Sequence, residues 1–482
     1  MKSKPKIGFV PASRGFFNQD LAAKARAETI KSMKAAGITP VVPSKDMTPR
    51  GLVESFDDAR KAARLFRHAP VDGVIIGAVN FGNEIPAAVA AIEGAAGRPI
   101  MLFGCTEEGK LTRGSDRRDA LCGALSIATT LRQRRAKYTF PKVANCSPSD
   151  PEFIGELKDF ATVCRIVSGV RGGARGGACG TVYGQIGTRP AEFETCAFDE
   201  LSLLRKFGIR TVPTPLSEVF ERAKAITDKA KIARTVKSIK SMFKTVGVPD
   251  ISIERMARLE IVLKEIIEEN KLNGMALQCW TSMQEDYGIS ACAVMARLNQ
   301  MLGIPAACEV DIHGTLSMHM LSLAAGGPAV LMDWNNRHYK QKNVFSAWHC
   351  GVFPPALCGG KCKLAANAIM AGVMGSPDKV YGVLDGALDT GPVTMTRLTE
   401  SPDGEWKLLV AEGESVQAPG EPPGGNGWIR VADLDRLYRA LLRDFPHHGA
   451  LAMGHSGRLL ATAAHFLGLE VVAPLPVKNL DL

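Results

Sequence analysis

Short apolar runs alternate with longer stretches in which apolar residues recur every three to four positions, over the first two thirds of the chain. KIGFV predicts a first strand at Ile7–Val10, followed by a helix from about Asn18 to Ala36 that ends at Gly37. The segment ITPVVP, a helix around Leu52–His68, VDGVIIGAV, an alanine-rich helix over Ile85–Ala96 and PIMLFG continue the pattern. A Pro/Ser/Asp-rich patch, NCSPSDPE (145–152), precedes another helix and CRIVSGV, which reads as a strand. A second alternation starts at GTVYGQIG, with a helix near Thr195–Phe207, then IRTVP, long helical stretches over Leu216–Lys244 and Ile253–Asn270, GMALQCW, a helix over Ile289–Leu302, and IPAACE. Short apolar strands between amphipathic helices predict parallel sheets covered on both faces.

From about Pro328 the texture changes. PAVLMDW, NVFSAWHCG, VTMTRLTE, WKLLVAEGE and WIRVADL are strand-like with Pro/Gly turns, helix signal is low, and a terminal helix lies near Gly457–Leu467. The expected fold is α/β: two doubly wound parallel-sheet domains, 1–170 and 171–325, followed by a mostly β C-terminal domain, 326–482. The 482 residues fit several packed units.

Composition excludes several classes. Hydrophobic residues make up 46% and charged residues 22%, an ordinary globular balance. No apolar run approaches the ~20 residues that span a bilayer, and Pro5 interrupts the N-terminal apolar stretch, so a cytoplasmic protein is expected. Twelve cysteines are scattered without C-x-x-C, which fits free thiols in a reducing compartment. His349, Cys350, Cys358 and Cys362 make the closest approach to a zinc-type cluster, read here as a turn carrying unligated thiols. The net charge of +10 is diffuse, and its densest runs, Arg132–Lys137 and Lys224–Lys244, have helical spacing, so they read as solvated helix faces rather than a nucleic-acid surface. RGGARGGACG (171–180) is a single short copy of an RGG-like pattern and reads as a flexible interdomain loop. Neither a Walker A motif nor a GxGxxG after the first strand is present.

Three polar residues stand at strand ends: Glu309 after IPAAC, Asp333 after PAVLM, and His448 at the start of HGALAM. Strand termini in α/β folds face the ligand crevice, and an acid directly after an apolar strand has to be solvated, paired or bound to metal. Two carboxylates and an imidazole suit a divalent ion such as Mn²⁺. Each also has a plainer reading: Glu309 as a helix-start acid, Asp333 as a turn cap, and either histidine of His447–His448 as an ordinary core or surface group. His313 and His319, which follow Glu309, read as packed or exposed helix residues.

The stretch CEVDIHGTLSMHMLSLAAGGPAVLMDWNN (308–336) resembles the metal-binding core of L-fucose isomerases and their relatives, the L-arabinose isomerases. HHGALAMGHSGRLLATAAHFLGLEV (447–471) resembles the segment that supplies their third ligand, and TGPVTMTRLTESPDGEWKLLVAEGESVQAP (390–419) is similar to their β-domain strands. The resemblance covers most of the chain, in the family's order. It implies a sugar ketol isomerase that uses Mn²⁺ held by Glu309, Asp333 and His448, with Glu309 and Asp333 doubling as acid and base. It aligns Gln278 with a substrate-contacting glutamine and His349 with an extra metal-site histidine. Trp334, Asn335 and Phe81 are expected substrate contacts. It further implies a homo-oligomer, trimer or hexamer, with each active site at a subunit interface completed by a neighbour's N-terminal domain, and a sugar as the only ligand class.

One departure bears on the substrate. Where the family has an aromatic in W-x-Y-G-x-E, this chain has Val79-Asn80-Phe81-Gly82-Asn83-Glu84. With Val79 at the aromatic's place, the expected substrate is an aldose other than L-fucose. Arg113, Arg117 and Arg118 offer charge that would suit an anionic group on it, and their plainer reading is support of subunit contacts, so whether the sugar is anionic stays open. The competing readings are a non-catalytic sugar-binding protein and a metal-dependent epimerase or aldolase.

Overall fold

The computed structural model describes residues 4–172, 180–360, 362–417 and 424–480. Most of the RGG-like stretch, 173–179, lies outside the described residues, and with it the reading of that stretch as a loop. The chain divides into two compact units: the first runs to Ser168 and takes in His465–Leu467, and the second takes in the remaining described chain.

The first unit is a parallel sheet of β1 (Lys6–Ala12), β2 (Thr39–Val41), β3 (Gly73–Ala78), β4 (Ile100–Cys105) and β5 (Asn145–Cys146), in the order β2-β1-β3-β4-β5. Every residue of β3 and β4 is buried, as expected of strands covered on both faces. The covering helices are α1 (Gln19–Ala35), α2 (Phe56–His68), α3 (Glu84–Ala95), α4 (Ala120–Gln133) and α5 (Pro151–Arg171). Asn18 caps α1, and Ser55 with Asp58 forms a capping box on α2. CRIVSGV is not a strand: it forms the last turns of α5, burying Cys164, Ile166, Val167 and Val170. A short apolar run is ambiguous between a buried strand and a buried helical segment, and here the helix that starts at Pro151 continues through it.

The second unit opens with a parallel sheet of β6 (Val182–Ile186), β7 (Arg210–Thr214), β8 (Gly274–Leu277) and β9 (Ala306–Ala307), in the order β7-β6-β8-β9. Its helices are α6 (Glu200–Phe207), α7 (Leu216–Ala225), α8 (Lys229–Met242), α9 (Asp250–Asn270), α10 (Cys292–Leu302) and α11 (Ile312–Ala325). The basic helical stretch is two helices, broken where Asp228 caps α8 by accepting from the Lys231 N–H. Its lysines do lie on a solvated face, Lys231 pairing with Glu265 and Lys240 with Asp250.

A large mixed sheet follows: β10 (Val330–Arg337), β11 (Val344–His349), β12 (Lys363–Ala366), β13 (Tyr381–Ala387), β14 (Gly391–Glu400), β15 (Trp406–Val416), β16 (Gly425–Arg430), β17 (His448–Met453) and β18 (Glu470–Val472). Six strands close into an antiparallel ring, β10-β11-β16-β15-β14-β17 and back to β10, which removes their open edges. Three helices accompany it: α12 (Ala368–Met374), α13 (Leu434–Asp444) and α14 (Gly457–Leu467). Sequence pattern anticipates α14 but passes over α12 and α13, which are short and set among strand-like runs. Asp333 lies within β10 rather than at its end, because the strand goes on to pair with β11 through Trp334 and Arg337.

Helix α11 joins the two sheets of this unit, packing on β8 to one side and on β14 and β17 to the other. Every residue from Ile312 to Leu321 is buried, so the helix is enclosed rather than amphipathic. Its polar atoms tie it in both directions: Thr315 Oγ1 donates to the Met275 carbonyl at 3.0 Å, and Ser317 Oγ accepts from the Leu398 N–H at 2.9 Å.

Packing in the first unit generates one prediction. A Cβ added at Gly123 would lie 1.5 Å from the Phe81 carbonyl oxygen, a backbone atom that cannot swing aside. Gly123→Ala is expected to destabilise the first unit by about 1–3 kcal/mol, read as an earlier denaturation midpoint. An unchanged midpoint would contradict this packing of α4 against the loop after β3.

Candidate active site

After β9 the backbone turns sharply. Glu309 and Val310 both adopt left-handed conformations, with φ of 53° and 58°, and Val310 is β-branched, so each costs about 1–3 kcal/mol. The turn is held by Asp311, which caps α11 by accepting from the Gly314 N–H at 2.8 Å and donates its own N–H to the Cys308 carbonyl at 3.0 Å. Glu309 thereby lines a cavity of about 400 Å³ instead of continuing into the helix, a size suited to a small metabolite.

Three neighbouring strands bring the other groups to the same cavity. Asp333 on β10 is the cross-strand partner of His448 on β17 and of Trp348 on β11, and His349 ends β11. His448 Nε2 lies 3.2 Å from Glu309 Oε2 and 3.7 Å from Asp333 Oδ1, and His349 Nε2 lies 3.7 Å from Glu309 Oε2. Glu309 Oε2 is buried and has no hydrogen bond of proper geometry. Its other oxygen accepts from the Trp280 indole N–H at 3.1 Å. Phe193 stands edge-on to Trp280 and His447, 5.4 Å between ring centres in each case, and forms an aromatic wall.

The two histidines are oriented in opposite senses. His448 Nδ1–H donates to Asp311 at 2.9 Å, which leaves the Nε2 lone pair for the cavity. Asp311 is in turn held by Arg397, at 2.5 and 3.1 Å, both side chains being almost wholly buried. His349 Nδ1 instead accepts from the Cys350 N–H at 3.0 Å, so its neutral ring carries the proton on Nε2, facing Glu309.

Electrostatics follow from this arrangement. Burial pushes the Glu309 carboxyl up, but the close approach of His448, the neighbouring His349 and the Trp280 indole N–H outweigh it and bring the group down to about 2. Burial likewise opposes ionisation of Asp311, and the Arg397 guanidinium with His448 holds it well below the usual carboxylate range. Burial lowers His448, yet its contacts with Asp311, Cys196 and Glu309 raise it well above the ordinary imidazole value. Among the described residues, Glu309–His349–His448 and Asp333–His447–His448 are each close enough to hold one metal ion.

Other expected contacts lie elsewhere. Gln278 does not line the cavity; its Oε1 accepts from the Thr188 N–H at 3.0 Å. Trp334 and Asn335 line a separate groove of about 350 Å³ with Tyr438 and Phe445, because alternation along β10 sends Trp334 to the face opposite Asp333. Phe81 belongs to the first unit, where it stacks on Phe17 with 5.6 Å between centres and lies 4.3 Å beneath the Arg14 guanidinium. Val79 is fully buried. Arg118 is also buried, donating to Glu108 and to the Leu21 and Val79 carbonyls, and Arg117 pairs with Asp119. Arg113 is exposed. His349 faces Glu309 while Cys358 and Cys362, both free thiols, neighbour each other, so that thiol-rich stretch does not gather around one point. His319 bonds Tyr183 at 2.9 Å, and burial pushes His313 down to about 4.

Sequence reasoning missed Asp311, Arg397, Trp280 and Phe193. Asp311 had a signal, since it lies two residues after Glu309 where a helix begins. Arg397 had a fainter one, as a lone cation inside the apolar run VTMTRLTE.

Comparison with known proteins bears on this geometry. Residues 8–171 match the model of the fucose/sulfoquinovose isomerase N-terminal domain, and residues 348–473 match that of the L-fucose isomerase C-terminal domain. A sulfoquinovose isomerase from Alkalicoccus urumqiensis is 26% identical over 417 residues, covering 85% of this chain and 86% of its own. Another from Priestia aryabhattai is 23% identical over 465 residues, covering 96% of this chain and 97% of its own. With both domains present in the family's order, the chain belongs to the L-fucose isomerase-like family and is a sugar aldose–ketose isomerase.

Proposed function

We propose that the protein is a divalent-metal-dependent isomerase of a sulfonated hexose of the sulfoquinovose type, with Mn²⁺ as its metal. The observation that carries the metal reading is Glu309 Oε2, buried without a proper hydrogen bond and 3.2 Å from His448 Nε2. Two electron-rich atoms this close need a cation between them: a proton in the metal-free chain, a divalent ion in the loaded one. Octahedral coordination with bonds of about 2.1 Å spaces adjacent donors by about 3 Å, near the 3.2 and 3.7 Å separations around His448 Nε2. The donor set therefore fits an oxygen- and imidazole-seeking ion on Glu309, Asp333 and His448.

Such an ion polarises neighbouring sugar oxygens as a Lewis acid. In this reading one of Glu309 and Asp333 removes the proton from C2 of the aldose and returns it to C1, through an ene-diolate, while the other moves the hydroxyl proton from O2 to O1. Trp280 fixes Glu309 through Oε1. His349, with its proton on Nε2, stands as a donor toward Glu309 or a substrate oxygen rather than as a fourth ligand. Free thiols at every described cysteine suit a reducing, cytoplasmic setting.

The names of the relatives support an anionic substrate. No lysine or arginine lines the cavity among the described residues, so the partner for a sulfonate lies outside it. We therefore keep the homo-oligomer, trimer or hexamer, in which a neighbour's N-terminal unit completes the cavity; of Arg113, Arg117 and Arg118, exposed Arg113 is the available one, since Arg117 and Arg118 are paired.

An aldose panel with added Mn²⁺, read as ketose formation, tests the function. Sulfoquinovose is expected to exceed L-fucose and D-arabinose in kcat/KM by tenfold or more, about 1.4 kcal/mol in transition-state binding. Asp333→Asn should lose at least a hundredfold in turnover together with Mn²⁺ affinity. Fucose winning by tenfold refutes the substrate, and a fully active, metal-stripped Asp333→Asn protein refutes the metal site.

The raised pKa of His448 sets a second expectation. Below that pKa, Nε2 is protonated and metal must displace the proton, so Mn²⁺ affinity should rise about tenfold per pH unit and level off above it. Calorimetry in buffers of differing ionisation enthalpy should register about one proton released per ion on the acid side. No release would separate His448 from the metal. For the assembly, light scattering should give a trimer or hexamer, and a fully active monomer would exclude a shared site.

A further inference from the structure

Glu309 has a second face, lined by sulfur. Its Oε1 lies 3.5 Å from Cys279 Sγ, and Cys279, Cys308 and Glu309 each present a donor atom within 4.8 Å of the other two, all three residues being buried. Cys308 hydrogen-bonds both Cys279 and Cys292. Cys279 and Cys292 line the cavity, so an ion that enters it meets sulfur directly. The three thiols play no part in the isomerisation derived above.

We propose that Cys279, Cys308 and Glu309 form a second metal site, selective for thiophilic ions such as zinc or cadmium, whose occupation inactivates the enzyme by capturing Glu309. Tetrahedral zinc, with bonds of about 2.3 Å to sulfur and 2.0–2.2 Å to oxygen, spaces its donors by about 3.5–3.8 Å. The group already sits near that spacing, and its closure requires side-chain shifts on the order of 1 Å. Each thiol gives up its proton to solvent as its sulfur–metal bond forms. Soft sulfur ligands favour such ions over manganese, whose preference is for oxygen and imidazole. Because Glu309 belongs to both sets, an ion in the sulfur site excludes a properly held ion at Asp333 and His448. This inference depends on the proposed function only in treating Glu309 as an active-site ligand.

Inhibition by zinc or cadmium is not diagnostic by itself, since either ion can also displace Mn²⁺ from an oxygen–imidazole site. The readout is therefore the ultraviolet thiolate-to-cadmium charge-transfer band of the full chain titrated with Cd²⁺. The titration uses a background in which Cys358→Ser and Cys362→Ser remove one neighbouring thiol pair and Cys146→Ser breaks another, the cross-strand pair with Cys105. The band is expected to saturate at one Cd²⁺ per chain while Mn²⁺, followed by electron paramagnetic resonance, is released in equal amount. Cys308→Ser should weaken Cd²⁺ binding at least tenfold and shrink the band. Should that variant fail to fold by circular dichroism, Cys279→Ala replaces it with the same expectation. No band in the background protein, or a band that survives these substitutions, overturns the proposal. A chain that shows the band but no Mn²⁺-dependent isomerisation would instead remove the functional reading and leave the sulfur site standing.

Discussion

Glu309 carries a negative charge into a largely buried place at the wall of the cavity, and a buried anion must be matched by positive charge or lose its own. Breaking a buried pair by removing one partner typically costs about 3–5 kcal/mol. Much of the second unit can be understood as meeting that demand. The left-handed turn at Glu309 and Val310 aims the carboxylate, Trp280 binds one oxygen, and the other faces His448 and His349. His448 is itself steadied from behind by Asp311, whose charge Arg397 balances. The chain thus lays down acid, imidazole, acid and guanidinium in alternation, and the proposed dication at the cavity end would extend the series with the sign it calls for.

The positions of these groups follow from the fold. Helix α11 begins at the Glu309 turn and is enclosed between β8 and the closed β ring. Its N-terminus therefore meets β17, whose first residue is His448, and β10, whose Asp333 is paired with that histidine. A parallel sheet alone ends in a crevice open to solvent. Setting a closed antiparallel ring against the end of β9 turns that opening into a walled cavity, with polar groups from three neighbouring strands and one turn.

The main features of this arrangement were legible in the sequence for reasons of periodicity. Strands covered on both faces read as unbroken apolar runs, so both parallel sheets could be placed, and an acid at the end of such a run stands out, which is how Glu309 and Asp333 were found. What resisted reading depends on partners distant in sequence. Arg397 looks like any strand cation until Asp311, 86 residues earlier, is seen beside it. Trp334 follows Asp333 directly, yet the two-residue period of a strand sends it to another groove. CRIVSGV has the composition of a strand but ends a helix begun at Pro151. Val79, which the resemblance sets against a family aromatic, is completely buried and so packs in the core, which its sequence context alone does not show.

The absence of lysine and arginine from the cavity lining among the described residues has a physical rationale in the proposed reading. A fixed cation about 7 Å from a divalent ion would repel it by about 5 kcal/mol at an effective dielectric of about 20, a loss of more than a thousandfold in metal affinity. A sulfonate on the substrate needs a cation nonetheless. Keeping that cation outside the cavity, and bringing it close only when the substrate's own negative charge lies between, avoids the conflict: the sulfonate then screens the cation from the metal. The acids, imidazoles and indole of the second unit can stay devoted to holding the ion and moving protons. Recognition of the charged end of the sugar falls to residues that meet the cavity from its open side, where screening by solvent further weakens their effect on the metal.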